Sequence, residues 1–422
     1  HRDLHSFPTR RSSDLSQNIT KYIKSNKKSF KSINLNFGPN HPAAHGVLRL
    51  SLSLDGEIVK KADVHIGLLH RGTEKLMESR PFDLSIPYFD RLDYVSMVVQ
   101  EHAYCLAVEK LSGFPNIDQK INNTRTVFDE LTRLLNHLLA ISCHALDVGS
   151  MSPLFWAFEE REVIMGFYES ASGARMHAAF YRPSSQRNYL SFKLLDSIMN
   201  FITKCQRTLK DISGILNENR IWKSRLINIG SYSYREVINY GLSGIMCRCT
   251  GLKKDIRFNK RMSYGSYFFS GNRSYVSVNG DSLDRYLLRV QEMFESLMIV
   301  SKVISNTSYK DKKTLKKLNG WFCLGKKPVD DSSMENLIRH FKKWSTGRVL
   351  NLGITTQVVE SPKGEFSVSL VSDGTDKPYR CKIRSPAYNH IQFLPKLSKN
   401  KQMADLITLI GTIDIVFGEI DR

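Results

Sequence analysis

The stretch TVFDELTRLLNHLLAISCHALDVG, residues 126–149, decides the fold. Its apolar residues recur at helical spacing and form one broad face, made of Val127, Leu131, Leu134, Leu135, Leu138 and Leu139. Asp129 stands three residues after Thr126, which is typical of a helix start, and Gly149 is a common stop. The pattern predicts a long, deeply buried helix from Thr126 to Asp147.

The same periodicity recurs on both sides of this stretch and predicts a helical centre. The further predicted helices run from Asp90 to about Gly113, from Pro153 to Ser172, from Leu195 to Leu216, from Asp284 to Ile304 and from Met403 to Ile410.

Strand signals lie at the two ends of this helical region. Residues 47–67 alternate between apolar and polar and predict a β-hairpin turned at Asp55-Gly56. Residues 357–371 and 379–383 are strand-like and are separated by turn signals at 362–364 and 372–374. We therefore expect a single α+β domain over residues 34–422, with a central helical bundle and peripheral β-hairpins.

The N-terminal residues do not share this character. Residues 1–15, HRDLHSFPTRRSSDL, look like a translated sequencing adapter and are expected to be non-native. Residues 16–33 are rich in Lys, Ser and Asn, which favours a disordered arm or a remnant of a targeting segment.

Composition limits the class of protein. The net charge of +20 favours anionic surroundings, but no nucleic-acid recognition motif accompanies it, so we expect no nucleic-acid partner. Seven cysteines without a C-x-x-C pair indicate a reducing compartment. No apolar run is long enough to span a bilayer, so we expect at most a peripheral membrane position.

Polar residues embedded in apolar context form a series of distinctive blocks. They are FGPNHPAAHG at 37–46, HIGLLHRGTEKL at 65–76, YFDRLDYVSM at 88–97, TRLLNHLLAISCHALDVG at 132–149, SGARMHAA at 172–179 and DIVFGEIDR at 414–422. In these blocks, and in order from about residue 35 to residue 422, the chain resembles the 49 kDa-type quinone-binding core subunits of respiratory complex I. That family is itself similar to the large subunits of nickel–iron hydrogenases, so the resemblance implies a hydrogenase-large-subunit-like fold.

The resemblance implies an oxidoreductase that is inactive alone and reduces quinone within NADH:ubiquinone reductase, coupled to proton translocation. His45 and Tyr94 resemble the residues that hydrogen-bond the quinone carbonyl oxygens, and Asp147 resembles the carboxylate that partners the histidine. A phenol and an imidazole suit this task because quinone reduction consumes two protons. The implied quinone-binding residues are His41, His45, Tyr94, Ser96, Asp414, Val416 and Phe417.

The cofactors and partners follow from the same resemblance. Arg71, Arg91 and His177 resemble residues that lie beside a four-iron cluster held by a neighbouring small subunit, although an ion pair of Arg71 with Glu74 or Glu78 is an alternative. NADH and FMN are expected elsewhere in the complex, and no metal is expected on this chain.

The implied partners are the cluster-bearing subunit, a 30 kDa-type subunit, a ferredoxin-like subunit and a quinone-channel membrane subunit. The implied location is the matrix side of the mitochondrial inner membrane, or the cytoplasmic face of a bacterial membrane.

Two other functions are alternatives to this hypothesis, a nickel–iron hydrogenase relative and a non-catalytic assembly or scaffold homologue. Hydrogenases bind their metals through two C-x-x-C pairs, and the corresponding positions here are Asp93, Ser96, Val416 and Glu419. Without thiolates a soft metal centre cannot be held. The vacated space, floored by Val416 and Phe417, is expected to suit a flat apolar ring.

Overall fold

The computed structural model describes residues 32–41, 46–113, 118–186, 190–259, 264, 267, 274–306 and 333–422. The predictions for residues 1–15, for most of 16–33 and for His45 lie outside these residues.

Fourteen α-helices lie within the described part of the chain. In order they are α1 Thr73–Glu78, α2 Ile86–Asp90, α3 Met97–Leu111, α4 Gln119–Val148, α5 Ser152–Ser172, α6 Phe192–Glu218, α7 Arg220–Leu226, α8 Tyr234–Tyr240, α9 Ile245–Arg248, α10 Ser282–Asn306, α11 Met334–Thr346, α12 Pro386–Ser398, α13 Met403–Ile413 and α14 Phe417–Asp421.

The strands form three small antiparallel sheets in the same part of the chain. They are β1 Ile33–Phe37, β2 Arg49–Asp55 and β3 Ile58–His65 in the first sheet, β4 Tyr181–Arg182 and β5 Ser185–Gln186 in the second, and β6 Gly353–Ser361, β7 Gly364–Ser372 and β8 Pro378–Arg384 in the third. Long helices with separate antiparallel sheets confirm the α+β prediction.

The helix α4 is the centre of the molecule. It packs against α5, α10 and α13, and its predicted apolar face is buried in the larger of two hydrophobic clusters. The prediction of its start was wrong, because α4 begins at Gln119, where the side chain of Asp118 accepts a hydrogen bond from the backbone N–H of Lys120. Asp129 does not cap the helix. It accepts a 2.6 Å hydrogen bond from His102 and is buried.

The predicted helix starting at Asp90 is also wrong at its beginning. The short helix α2 ends at Asp90, residues 91–96 are not helical, and α3 starts at Met97. Asp93 explains the break, because its side chain accepts a hydrogen bond from the backbone N–H of Val95 and another from the hydroxyl of Ser96. Local side-chain acceptors of this kind compete with the helical hydrogen bonds of the backbone.

The first sheet extends the predicted hairpin. Leu50, Leu52 and Leu54 are buried as the alternation predicts, and Gly56 takes the positive φ of the turn. The hairpin prediction missed β1, which pairs with β2 from Ile33 opposite Leu54 to Phe37 opposite Leu50. This sheet packs with α12 and α13 in the second hydrophobic cluster.

The third sheet agrees with its predicted strands and turns. The helix α3 crosses β6 and β7, and the tight turn between these strands points back toward α4 through Lys363. The C-terminal helix α14 returns to the segment after α2, because a Cβ on Gly418 would lie 2.4 Å from the carbonyl oxygen of Leu92. The fold therefore brings residues 91–96, 363 and 414–422 together.

Candidate functional site

The turn at residues 91–96 places Tyr94 at the surface above a buried polar group. Asp93 is fully buried, and Tyr94 is 37% exposed. The backbone N–H of Asp93 donates a 3.2 Å hydrogen bond to Gln100, which fixes the turn on the first turn of α3. The segment thus holds the Tyr94 phenol at the surface, next to the buried Asp93 that is bonded to α3.

Lys363 lies directly beneath this turn. Its Nζ is 3.0 Å from Oδ2 of Asp93 and 4.0 Å from Oδ2 of Asp414, and it donates a hydrogen bond to Oδ1 of Asn136. Asn136 donates in turn to Asp414 at 2.8 Å. Burial lowers the pKa of Lys363, but the carboxylates of Asp414 and Asp93 outweigh burial and raise it overall. We name Asp93, Asn136, Lys363 and Asp414 the Lys363 cluster.

The charges of the Lys363 cluster affect the pKa of Tyr94. Burial raises the pKa of the Tyr94 phenol, the neighbouring Asp93 carboxylate raises it further, and Lys363 opposes them. The phenol therefore stays protonated at neutral pH and is able to donate a hydrogen bond.

The four positions that the resemblance matches to the hydrogenase thiolates, Asp93, Ser96, Val416 and Glu419, lie around this cluster. The Ser96 hydroxyl donates to Asp93, and Val416 starts the helix α14 that carries Glu419. Glu419 is fully buried, and its two carboxyl oxygens have no hydrogen-bond partner of ordinary geometry among the described residues. Burial, followed by the nearby Asp93, raises the pKa of Glu419 to about 8. Within the described residues, no group of three or more His, Cys, Asp and Glu side chains is placed to hold a metal ion.

Asp147 lies at the C-terminal end of α4, against α13. Its Oδ2 is 2.9 Å from the point where a Cβ on Gly411 would stand. Loss of solvation raises the pKa of Asp147 to about 6. Asp147 and Asp414 both act electrostatically on Cys143, one turn before Asp147 on α4. Asp147 and Asp414, a member of the Lys363 cluster, therefore both lie near Cys143.

The remaining predicted quinone-site residues have different positions. His41 is exposed and its ring lies 4.4 Å from that of Phe37, while His45 lies outside the described residues. Val416 and Phe417 are both buried in the core. The structure thus gathers Tyr94, Ser96 and Asp414 around Lys363. The quinone-binding role of all the predicted residues stays a prediction.

A second group of predicted residues lies on the other side of the turn at 91–96. Arg71 donates a 2.6 Å hydrogen bond to the carbonyl oxygen of Arg91. Loss of solvation lowers the pKa of the half-buried His177, and the charges of Arg91 and Arg71 lower it further, against an opposing effect of Asp90.

Within the described residues, the alternative ion pairs of Arg71 with Glu74 and Glu78 are not formed. Glu74 lies 3.2 Å from Arg422 and 3.7 Å from Arg380, and Glu78 lies 2.8 Å from Lys75 and 3.0 Å from Arg380. Arg71 therefore lies beside Arg91 without either ion pair, and its role beside a cluster stays a prediction.

Four members of the site were missed at the sequence level. Lys363 stands in the sequence only as part of a turn signal, and a lysine in a tight turn between strands is normally exposed. Asn136 gave a usable signal, because it is a polar residue on the apolar face of a long helix. Asp93 and Glu419 are conspicuous in the sequence only as positions without a thiolate.

Comparisons with known proteins identify the family to which the chain belongs. Residues 147–422 match the family described as the respiratory-chain NADH dehydrogenase 49 kDa subunit. The chain is 57% identical over 399 residues to the NADH-ubiquinone oxidoreductase 49 kDa subunit of Paramecium tetraurelia, covering 93% of this chain and 100% of the relative. It is 49% identical to the protein of that name from Cafeteria roenbergensis, covering 94% and 99%.

A bacterial relative extends the comparison. An NADH-quinone oxidoreductase subunit from Roseobacter denitrificans is 47% identical over 396 residues, which are 94% of this chain and 97% of the relative. A matching family over most of the chain and relatives of nearly equal length lead to one conclusion: the chain belongs to the 49 kDa subunit family of respiratory-chain NADH dehydrogenases, a core subunit of complex I.

Proposed function

We propose that this chain forms the site at which NADH:quinone oxidoreductase reduces quinone. Electrons that enter the complex from NADH through FMN in other subunits reach a four-iron cluster in a neighbouring subunit and then pass to the quinone. The chain supplies hydrogen bonds and protons, holds no metal of its own and is inactive alone. The relatives named as NADH-ubiquinone and NADH-quinone oxidoreductase subunits support the reaction and the substrate class.

The observation that carries the proposal is the position of Tyr94 on the Lys363 cluster. A reduced quinone oxygen carries negative charge, and a fixed donor beside it stabilises that charge without reorganisation. The turn at 91–96 is fixed by the buried pair of Asp93 and Lys363, at 3.0 Å. The raised pKa of Tyr94 keeps its proton in place until the quinone oxygen becomes basic.

His45 and Asp147 are assigned to the second quinone oxygen. An imidazole donates a proton readily near neutral pH, and a carboxylate that titrates near 6 is charged at neutral pH and stabilises the imidazolium. Asp147 therefore serves as the partner of His45 in this proposal. Ser96, Asp414, Val416, Phe417 and His41 belong to the surroundings of the same quinone.

Arg71, Arg91 and His177 are assigned to the side that faces the cluster. Their adjacency supports this role, because cationic and titratable groups beside a cluster stabilise its reduced form. The partners are the cluster-bearing subunit, the 30 kDa-type and ferredoxin-like subunits and the quinone-channel membrane subunit.

The complex is placed at the matrix side of the mitochondrial inner membrane, with this chain peripheral to the membrane. No helix in the described part of the chain is both long and apolar enough to cross a bilayer. A change in the position of His45 on quinone reduction is the proposed origin of proton translocation.

Tyr94→Phe in the assembled complex tests the assignment. Removing one proton donor should lower quinone reduction by about 100-fold or more, since general-acid groups contribute roughly 10²–10⁴-fold. Oxidation of NADH by a hydrophilic acceptor that takes electrons before the quinone site should stay at the parent rate. Tyr234→Phe, at an exposed position on α8, is the matched control. Normal quinone reduction by an assembled Tyr94→Phe complex would contradict the proposal and favour a scaffold role.

A further inference from the structure

Two carboxyl groups are buried together behind His177. Asp90 ends α2 and Glu101 lies in α3, and neither is exposed to solvent. Oδ2 of Asp90 accepts a 2.9 Å hydrogen bond from the backbone N–H of Ala179, and Oε2 of Glu101 accepts a 2.8 Å hydrogen bond from that of Tyr181. One short segment thus holds both groups side by side.

Among the described residues, the second oxygen of each carboxyl group has no such backbone donor. Oδ1 of Asp90 and Oε1 of Glu101 receive no N–H or O–H donor from the described residues outside the pair. The two carboxyl groups lie close enough that each affects the pKa of the other. A carboxylate can only accept a hydrogen bond, and two adjacent buried carboxylates repel each other. The pair therefore requires one proton between its members.

The surroundings decide which member keeps the negative charge. Burial raises the pKa of Asp90, and the backbone N–H of Ala179 and the charges of His177 and Arg91 oppose that effect. Asp90 in turn favours the protonated form of His177. Glu101 is deeper, and its environment raises its pKa well above the usual value, first through burial and then through Asp90. The charged or titratable groups that face the pair are Arg91, His177 and, through His177, Arg71 at the Asp90 end, and Arg182, Cys105, Tyr168 and Tyr181 at the Glu101 end.

We propose that Glu101 holds the proton, that Asp90 holds the charge, and that this buried pair sets the pH range over which His177 binds a proton when the neighbouring cluster is reduced. The inference rests on the proposed function, because it takes His177 to lie beside the partner's cluster. Asp90 and Glu101 are positioning residues here, since they act on the cluster through His177. Asp90 favours the imidazolium, and the Glu101 hydroxyl donates to Asp90 and keeps it ionised.

The test is a redox titration of the terminal cluster in the assembled complex at a series of pH values. Asp90→Asn removes the charge beside His177, so the pH range in which the midpoint potential depends on pH should move down by about one unit, as expected for loss of a nearby opposite charge. Glu101→Leu removes the hydrogen bond to Asp90 and should move the range in the same direction. Glu101→Gln keeps a donor to Asp90 and should restore the parent profile.

Asp129→Asn is the matched control, because Asp129 is an equally buried carboxylate that is paired with His102 instead. A profile unchanged by Asp90→Asn, or a shift by Glu101→Gln as large as that by Glu101→Leu, would overturn the proposal. Neither result would touch the assignment of Tyr94, which is tested by quinone reduction. A parent potential without pH dependence would overturn this inference together with the assignment of His177.

A second measurement needs no variant at Asp90 or Glu101 to assemble. Infrared difference spectra of the unmodified complex, reduced minus oxidised, should show a shifted band from a buried protonated carboxylic acid. The Asp129→Asn and Glu419→Gln complexes should both retain it, since Glu419 is another buried carboxyl with a raised pKa. Absence of that band from the unmodified complex would overturn the proposal.

Discussion

The Nζ of Lys363 lies 3.0 Å from Oδ2 of Asp93, and both side chains are inaccessible to solvent. The first residue belongs to the turn between β6 and β7 and the second to the turn before α3, so this pair connects the third sheet to the segment that carries Tyr94. Removing one partner of a buried ion pair leaves an uncompensated charge, whereas removing both can cost little.

Lys363→Met should therefore destabilise the chain by about 3 to 5 kcal/mol. The double variant Asp93→Asn, Lys363→Met should be clearly more stable than Lys363→Met alone. The measurement is the urea concentration at which brief proteolysis cleaves half of this chain in the purified complex. A double variant no more stable than Lys363→Met alone would contradict this account of the pair.

Glu419 should make stability depend on pH. Its pKa is raised from the ordinary value to about 8, so the folded state retains a proton that the unfolded chain has lost. The resulting stability is fully present below about pH 4.5 and is lost as pH rises toward 8. Glu419→Gln stays neutral at every pH, so its advantage over the parent should grow from pH 6 to 8 and then level off. The same proteolysis assay at pH 6, 7, 8 and 9 measures this difference, and a constant difference would contradict it.

Gly418 should tolerate no side chain. A Cβ there would lie 2.4 Å from the carbonyl oxygen of Leu92, in the segment that carries Tyr94. Gly418→Ala should displace that segment and lower quinone reduction at least about 10-fold, since small displacements of catalytic groups are costly. Gly166→Ala, within α5 and with open space around it, should retain the parent rate and gain up to about 1 kcal/mol. Equal rates for the two variants would place Gly418 away from the reacting groups.

Asp147 should make the rate of quinone reduction fall at acidic pH. Loss of solvation raises its pKa to about 6, and the charged form is the one that stabilises an imidazolium. Quinone reduction by the parent complex should therefore fall as pH drops through about 6. Asp147→Asn should be slow at every pH and lack that acidic limb, while NADH oxidation by a hydrophilic acceptor is unchanged. An acidic limb that persists in Asp147→Asn would assign it to another group.

Some helices and strands could be predicted from the sequence, whereas the breaks between them could not. Helices α4, α5, α6, α10 and α13 and the strands of the third sheet follow apolar periodicity, so local pattern located them. The helix boundaries did not follow apolar periodicity. The turn at 91–96 interrupts an apolar helical pattern because Asp93 takes up backbone donors, and α4 starts early because Asp118 caps it.

The sequence by itself determined the helical centre, the alternating strands and, through its motif blocks, the family. Each of these depends on residues that are near one another in the chain, where spacing sets the face that becomes buried. The tertiary structure alone decided that Lys363 turns inward to Asp93 and Asp414, and that Asp90 and Glu101 are held by one segment. Those contacts join residues far apart in sequence, and their charge states depend on burial that only packing creates.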